Sequence, residues 1–337
     1  MKDPDKVLLA HGGGGELSYR LLKDLLLPTF DNPVLKELDD AARLSSKNKR
    51  LAFSTDSYVV KPLFFPGGDI GKLAVCGTIN DLAMVGAEPL YMSVSLIIEE
   101  GFSLNTLKKV INSMEGVARK TGMQIVTGDT KVVERGSLDR LFINTAGIGS
   151  IDGDLDISGS NASVGDRIIL SGTVGDHGIA VLSQREGFQF ESNLLSDCAP
   201  LNNLVSRMTK ASQNIHVLRD PTRGGLVTAL NEIALQSGVE VVIEEKAIPV
   251  KDEVRAACEM LGLDPLHIAC EGRLIAFVAR EDAHSVLEVM RDDPLGKDAA
   301  IIGEVISRNK PQVLLETFIG ARRIIFLPRG ELLPRIC

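Results

Sequence analysis

Apolar positions along the chain change period repeatedly, from the alternation of strands to the three-and-four spacing of helices. From Leu51 the run LAFSTDSYVV is a β-type segment ending in polar residues, and KPLFFPGGDIGKL supplies Pro and Gly punctuation after it. Ala74 to Val85 (AVCGTINDLAMV) reads as a helix that closes at Gly86, followed by PLYMSVSLII as an apolar strand. Leu104, Leu107, Val110, Ile111, Met114, Val117 and Ala118 recur at three and four, which predicts an amphipathic helix over 104–118. QIVTGDT predicts a short strand with Asp129 just beyond its end, and LFINTAGIGS predicts another strand.

The segment IDGDLDISGSNASVGD, rich in Gly, Ser and Asp, is the linker candidate and sets a boundary near Asp154. The second half alternates again: RIILSG, a Gly-rich turn, IAVLSQREG, then DPTRGGLVTALNEIALQSG, VEVVIEE, LIAFVA and DAHSVLEVM. Both halves are mixed α/β, so the expected class is α+β. The expected division is a Gly-rich segment over 1–40, a first domain over 41–154, a second over 155–316 and a tail over 317–337. In that tail one strand-like run is followed by Pro, Arg and Gly with little to pack, and a loose end is expected. An extended chain from Gly330 to Cys337 spans at most about 26–29 Å, enough for Cys337 to cross a domain face or enter a neighbouring cleft.

Composition narrows the function. The chain has 337 residues, is 44% apolar, contains no Trp, and carries 37 Lys+Arg against 45 Asp+Glu for a net charge of −8. Two globular domains fit that length. The negative charge and the lack of a dense basic cluster argue against a nucleic-acid partner. No stretch approaches the roughly 20 apolar residues of a membrane span, and MKDPDKVLLAHGGGGE has too short an apolar run for a signal peptide. The expected location is the cytoplasm. Five cysteines, at 76, 198, 258, 270 and 337, form no CxxC pair and no disulfide framework.

Acidic residues recur at element ends: Asp56 in STDSY, Asp81 in INDLAMVGAEP, Asp129 in TGDTK and Asp220 in RDPTRGG. Each alone equally suits the cap of a helix or turn. Together, in Gly-flanked loops, they suit Mg²⁺ bridged to nucleotide phosphates, a cation that an anionic chain binding ATP requires. Gly12, Gly13, Gly14 and Gly15, in HGGGGE, leave backbone N–H groups free to cover phosphates, although such a stretch also serves as a linker. GxxxxGK[ST] does not occur, and Gly172, Gly175 and Gly178 lack the GxGxxG spacing of a dinucleotide loop. Glu271 precedes a strongly apolar strand, where burial would raise its pKa and suit a general base; pairing with Arg273 is the plainer alternative. The histidines 177, 216, 267 and 284 show no metal-ligand spacing.

STDSYVV, NDLAMVGAEPLY and VTGDTKV together resemble the ATP-binding superfamily of aminoimidazole ribonucleotide synthetase, selenophosphate synthetase and thiamine-monophosphate kinase. Within it HGGGGE, DPTRGGL and the terminal PRIC resemble the HypE hydrogenase maturation factors, over essentially the whole chain. The resemblance implies two mixed α/β domains of the aminoimidazole ribonucleotide synthetase type, with N-terminal halves pairing strands across a homodimer and ATP in the cleft. It implies Mg-ATP positions at Asp56, Asp81 and Asp129, with Asp220 a further metal candidate. Gly128 and the glycines 12 to 15 would lie against the nucleotide and Lys131 against phosphate. It also implies a carbamoyl group carried on Cys337, delivered by a HypF-like carbamoyltransferase and dehydrated to a thiocyanate for the HypC–HypD complex and the iron of a [NiFe] hydrogenase. A phosphotransferase on a free small molecule, as in selenophosphate synthetase, is the alternative within the superfamily. That enzyme resembles a case needing a reactive Cys or selenocysteine with a nearby Lys in the N-terminal segment, and residues 7–20 contain neither. Outside it stands a scaffold whose terminal thiol is incidental.

Overall fold

The structure is a computed structural model describing residues 8, 11, 13, 15–30, 32–46, 49–187, 194–328, 330, 333 and 335–337. An N-terminal helical stretch, α1 (Glu16–Leu21), a π-helical turn (Leu22–Leu26) and α2 (Leu27–Phe30), buries none of its residues.

The first domain runs β1 (Ala42–Ser46), β2 (Lys49–Tyr58), a small hairpin of β3 (Phe64–Phe65) and β4 (Gly68–Asp69), α3 (Ile70–Met84), β5 (Ala87–Glu99), α4 (Leu104–Thr121), β6 (Gln124–Val133) and β7 (Leu141–Ile151). Its sheet has the order β1-β2-β7-β5-β6. All neighbours are antiparallel except β5 and β6, which α4 joins as a crossover. Val110, Met114, Val117 and Ala118 form the buried stripe of α4, Ser103 caps its start and Gly122, at φ 74°, turns the chain away from its end. α3 is different: it is buried almost all round, from Ile70 to Met84, because the sheet covers one side and the second domain another. Its sequence is therefore apolar without a stripe. The helix begins before the expected Ala74 because Asp69 accepts from the N–H groups of Gly71 and Lys72.

The second face of this sheet is uncovered. Phe53, Ile148 and Tyr91 are 42%, 39% and 47% exposed, and the register sets Phe53 opposite Ile148 and Ile148 opposite Tyr91. They form one apolar stripe across three strands. On the edge strand β6 every residue but Val133 is exposed.

The second domain contains β8 (Arg167–Leu170), α5 (Asp176–Glu186), α6 (Asn202–Ala211), β9 (Ile215–Arg219), α7 (Gly225–Ser237), β10 (Glu240–Glu244), α8 (Asp252–Leu261), β11 (Ile275–Val278), α9 (Ala283–Arg291), β12 (Ala300–Ser307), β13 (Gln312–Glu316) and β14 (Arg322–Ile325). The sheet order is β14-β13-β10-β12-β8-β11-β9. Alternation decides its two faces: Ile168 and Leu170 of β8 pack with Leu226, Leu230 and Ile233 of α7, while Ile169 packs with Leu204 and Met208 of α6 and Met290 of α9. Two mixed α/β domains, the first a sheet with helices on one face and the second a sheet with helices on both, match the expected class.

The chain end is not loose. Ile336, 4% exposed, joins the core of the first domain with Val60 and Leu63, and Leu333 and Cys337 pack against it. Backbone N–H groups of Val59 and Lys61, just past β2, donate to the main-chain oxygens of Cys337 (3.2 Å) and Arg335 (3.1 Å). Arg335 itself donates to Val59 O (2.8 Å) and Asp139 (2.6 Å). The composition of the tail hides this because Ile336 and Leu333 are isolated apolar residues and the rest of the grip uses main-chain oxygens and one arginine.

Candidate active site

Four segments deliver carboxylates to one place. On β2, Ser54, Asp56 and Tyr58 alternate onto the side facing α3. Tyr58 Oη donates to Asp56 Oδ2 (3.0 Å), and Ser54 Oγ donates to Oδ2 of Asp81 on α3. Asp220 follows directly on β9, in the turn that starts α7. Glu271 stands in the loop before β11, 3% exposed. Arg223, in the same turn as Asp220, brings Nη2 to 3.7 Å from Asp56 Oδ1.

The electrostatics show how closely these groups face one another. Burial, then the charges of Asp56, Asp220 and Asp40, push Asp81 well above the usual carboxylate range. Burial and Asp56 raise Asp220 to about 7, against the opposing pull of Arg219. Asp56 is raised by burial, with Arg223 and Tyr58 drawing it back. Burial raises Glu271 well above its ordinary value, reinforced by Asp220, Asp197 and Asp56. Its Oε1 is buried with no hydrogen-bond partner. Arg223 is held in its charged form chiefly by Cys337, then by Asp56 and Glu271.

A set of like charges this close is costly unless a cation neutralises it. Among the described residues no three acidic or thiol groups are drawn together as a finished metal cage. Mg²⁺ suits such an arrangement, since it keeps several waters and takes one or two carboxylates together with substrate phosphates. The residues present therefore fit Mg-ATP.

Cys337 lines a cavity of about 100 Å³ with Gly13, Ser57, Arg223 and Ala269. A second cavity of about 290 Å³, lined by His11, Asp40, Asp220 and Glu232, shares Arg223 with it. Gly13 thus lies beside the terminal cysteine, and Gly15 is close to Pro328, whose carbonyl accepts from Glu16 N (3.0 Å). Gly12 and Gly14 lie outside the described residues.

The structure brings Asp56, Asp81, Asp220, Glu271 and Cys337 into one neighbourhood. It does not bring Asp129, Gly128 or Lys131 there within one chain. They stand on exposed β6, separated from β2 by β7 and β5, which is three strand spacings or on the order of 14 Å. Asp129 Oδ1 accepts from the N–H of Thr130 (2.9 Å). Gly128 has a packing reason of its own, because a Cβ there would collide with the carbonyl of Val94 on β5. Arg223, Tyr58 and Asp40 belong to the site and were not singled out from the sequence. For Arg223 the signal was present in DPTRGG and for Tyr58 in STDSY; Asp40 had none.

Comparison with known proteins places this geometry. Residues 38–151 match the N-terminal domain of AIR synthase related proteins and residues 163–316 the C-terminal domain. The carbamoyl dehydratase HypE of Cupriavidus necator is 50% identical over 333 residues, spanning 98% of this chain and 95% of that protein. The chain belongs to the HypE family. A crystal structure of HypE in complex with ATP is 50% identical with a TM-score of 0.83, covering 98% of this chain and 100% of the other. HypE in a HypE–HypF complex is 48% identical with a TM-score of 0.87, covering 91% and 99%. Relatives bearing the HypE name are carbamoyl dehydratases and hydrogenase maturation proteins. Among the described residues no helix is long and apolar enough to cross a membrane.

Proposed function

We propose that the chain is an ATP-dependent carbamoyl dehydratase whose substrate is a thiocarboxamide on its own Cys337. The observation that carries this reading is the convergence of the terminal cysteine, the buried Glu271 and the Asp56–Asp81–Asp220 set around Arg223. A HypF-like carbamoyltransferase loads the Cys337 thiol. Transfer of the γ-phosphoryl group to the carbamoyl oxygen turns that oxygen into a leaving group. Glu271 then takes N–H protons as phosphate departs, leaving S–C≡N on Cys337; the balance is thiocarboxamide plus ATP giving thiocyanate, ADP and phosphate. One or two of Asp56, Asp81 and Asp220 would hold Mg²⁺ together with the ATP phosphates, and the ion would neutralise phosphate charge when bound. Arg223 adds a fixed positive charge between the thiol and the carboxylates. The unpartnered Oε1 of Glu271 is the lone pair such a base needs.

The HypC–HypD complex would receive the cyanide, in the cytoplasm. A homodimer covering the Phe53–Ile148–Tyr91 stripe would bury an apolar face that water now meets. In such a dimer β6 lies at the join, so that Asp129, Gly128 and Lys131 would serve a nucleotide site from the partner subunit. The division into 1–40, 41–154, 155–316 and 317–337 is carried with this proposal, with 317–328 contributing β14 to the second sheet.

Intact-mass analysis tests the reading. With a carbamoyltransferase partner, carbamoyl phosphate and ATP, the chain should gain a carbamoyl group and then lose water, and Cys337→Ala should do neither. An adduct that persists in Cys337→Ala sinks the mechanism.

A further inference from the structure

The residue that seats the tail also touches the loop that holds Glu271. His177, on α5, is buried, with burial lowering its pKa to about 4, so the ring is neutral at working pH. Its Nε2 lies 3.0 Å from the carbonyl of Ile336, the residue before Cys337. A carbonyl only accepts, so Nε2 carries the hydrogen and Nδ1 is left as an acceptor. Nδ1 lies 2.8 Å from Ser196 Oγ, which must therefore donate to it. The oxygen of Ser196 in turn accepts from Cys198 N (3.0 Å). Every donor and acceptor in this series is used in a single consistent direction.

Between Ser196 and Cys198 lies Asp197, whose Oδ1 accepts from the backbone N–H of Glu271 (3.1 Å). Gly272 packs so closely on Asp197 that a Cβ there would meet the Asp197 carbonyl. Asn80 closes the arrangement from the first domain: its Nδ2 donates to Ala199 O (3.1 Å) and Glu271 O (3.3 Å), and its Oδ1 accepts from Leu201 N (2.8 Å). Asn80 is the neighbour of Asp81. One loop, 196–201, thus lies between the docked tail, the carboxylate set and the backbone of Glu271.

We propose that His177 is a positioning residue that couples the seating of the tail to the placement of Glu271, through Ser196 and Asp197. A tail swung away withdraws the Ile336 carbonyl and loosens the loop that fixes Glu271; a seated tail presents the loaded Cys337 and tightens that loop together. The inference rests on Glu271 being the base.

The test compares full-length wild type, His177→Ala, Ser196→Ala and Glu271→Gln after carbamoylation by the partner with carbamoyl phosphate and ATP. Amide exchange at Val59 and Lys61 reads tail seating, and single-turnover mass loss of water reads dehydration. His177→Ala should speed exchange at both amides and slow dehydration about tenfold, the equivalent of one hydrogen bond of about 1.4 kcal/mol. Ser196→Ala keeps the His177–Ile336 contact, so exchange should stay near wild type while dehydration slows by a similar factor. A purely structural role for the serine would not separate those two readouts, and this variant decides the matter if His177→Ala does not fold. Wild-type dehydration in Ser196→Ala, with Glu271→Gln stalled, overturns the coupling and leaves the base standing. Wild-type dehydration in Glu271→Gln overturns the base and the inference with it.

Discussion

β2 and β6 carry similar motifs, STDSY and TGDTK, yet their aspartates live in opposite environments. Asp56 faces α3 beside Tyr58 and Arg223, and its carboxyl is raised by burial. Asp129 stands on an edge strand exposed along nearly its whole length and bonds to its own neighbour's N–H. The two strands share a sheet, so strand propensity cannot separate them; what differs is whether anything covers the strand. A single chain buries Asp56 among other carboxylates and leaves Asp129 on an open edge beside an apolar stripe.

Complementation would sharpen this contrast most. Asp81→Asn and Asp129→Asn should each lower ATP cleavage by a thousandfold or so, given the roughly 10³–10⁵ that charge-positioning groups contribute to phosphoryl transfer. If Asp129 serves the partner's site, mixing the two variants should restore activity to about one quarter of wild type, because half of the dimers are mixed and each has one intact site. No recovery on mixing, with dimers formed, would show that both act in the same chain.

A smaller effect separates the tail from the carboxylates. His177 has a folded pKa of about 4 against 6.5 in the unfolded chain, so above pH 6.5 it is neutral in both states and costs nothing. As pH falls from 6.5 towards 4 only the unfolded chain takes up the proton, and up to about 3 kcal/mol of stability is lost. Thermal midpoints should fall over that window in wild type and fall less in His177→Gln. An unchanged slope in the variant would remove His177 from the acid sensitivity.

The smallest effect concerns the surface contact of Arg335 with Asp139, whose carboxyl is lowered by hydrogen bonds from Arg335 and Lys61. Both partners are about a third exposed, so Asp139→Ala should weaken tail seating by only about 0.5–1 kcal/mol. Exchange at Val59 and Lys61 measures it. A complete loss of protection would mean that this pair, and not the main-chain contacts, holds the tail.

Much of this was legible in the chain. The spacing that predicted a helix over 104–118 falls in Leu104–Thr121, where Val110, Met114, Val117 and Ala118 are buried while Leu104 and Ile111 face outward, and RIILSG, VEVVIEE and LIAFVA supply β8, β10 and β11. Asp56, Asp81 and Asp220 stood out because polar residues punctuate apolar runs there. What stayed hidden depends on distant segments meeting. Asn80 reads as one more polar residue in a buried helix, and Asp197 as part of a loop, until the domains close on Glu271. His177 lacks metal-ligand spacing, and its partners at 196 and 336 are remote in sequence.

The tail is gripped by three successive main-chain oxygens, those of Arg335, Ile336 and Cys337, and none of these contacts involves the sulfur. Those bonds use only atoms that every residue possesses, so the seat is written in the path of the backbone, and whatever stands on the Cys337 side chain is left to the cavity it lines beside Arg223.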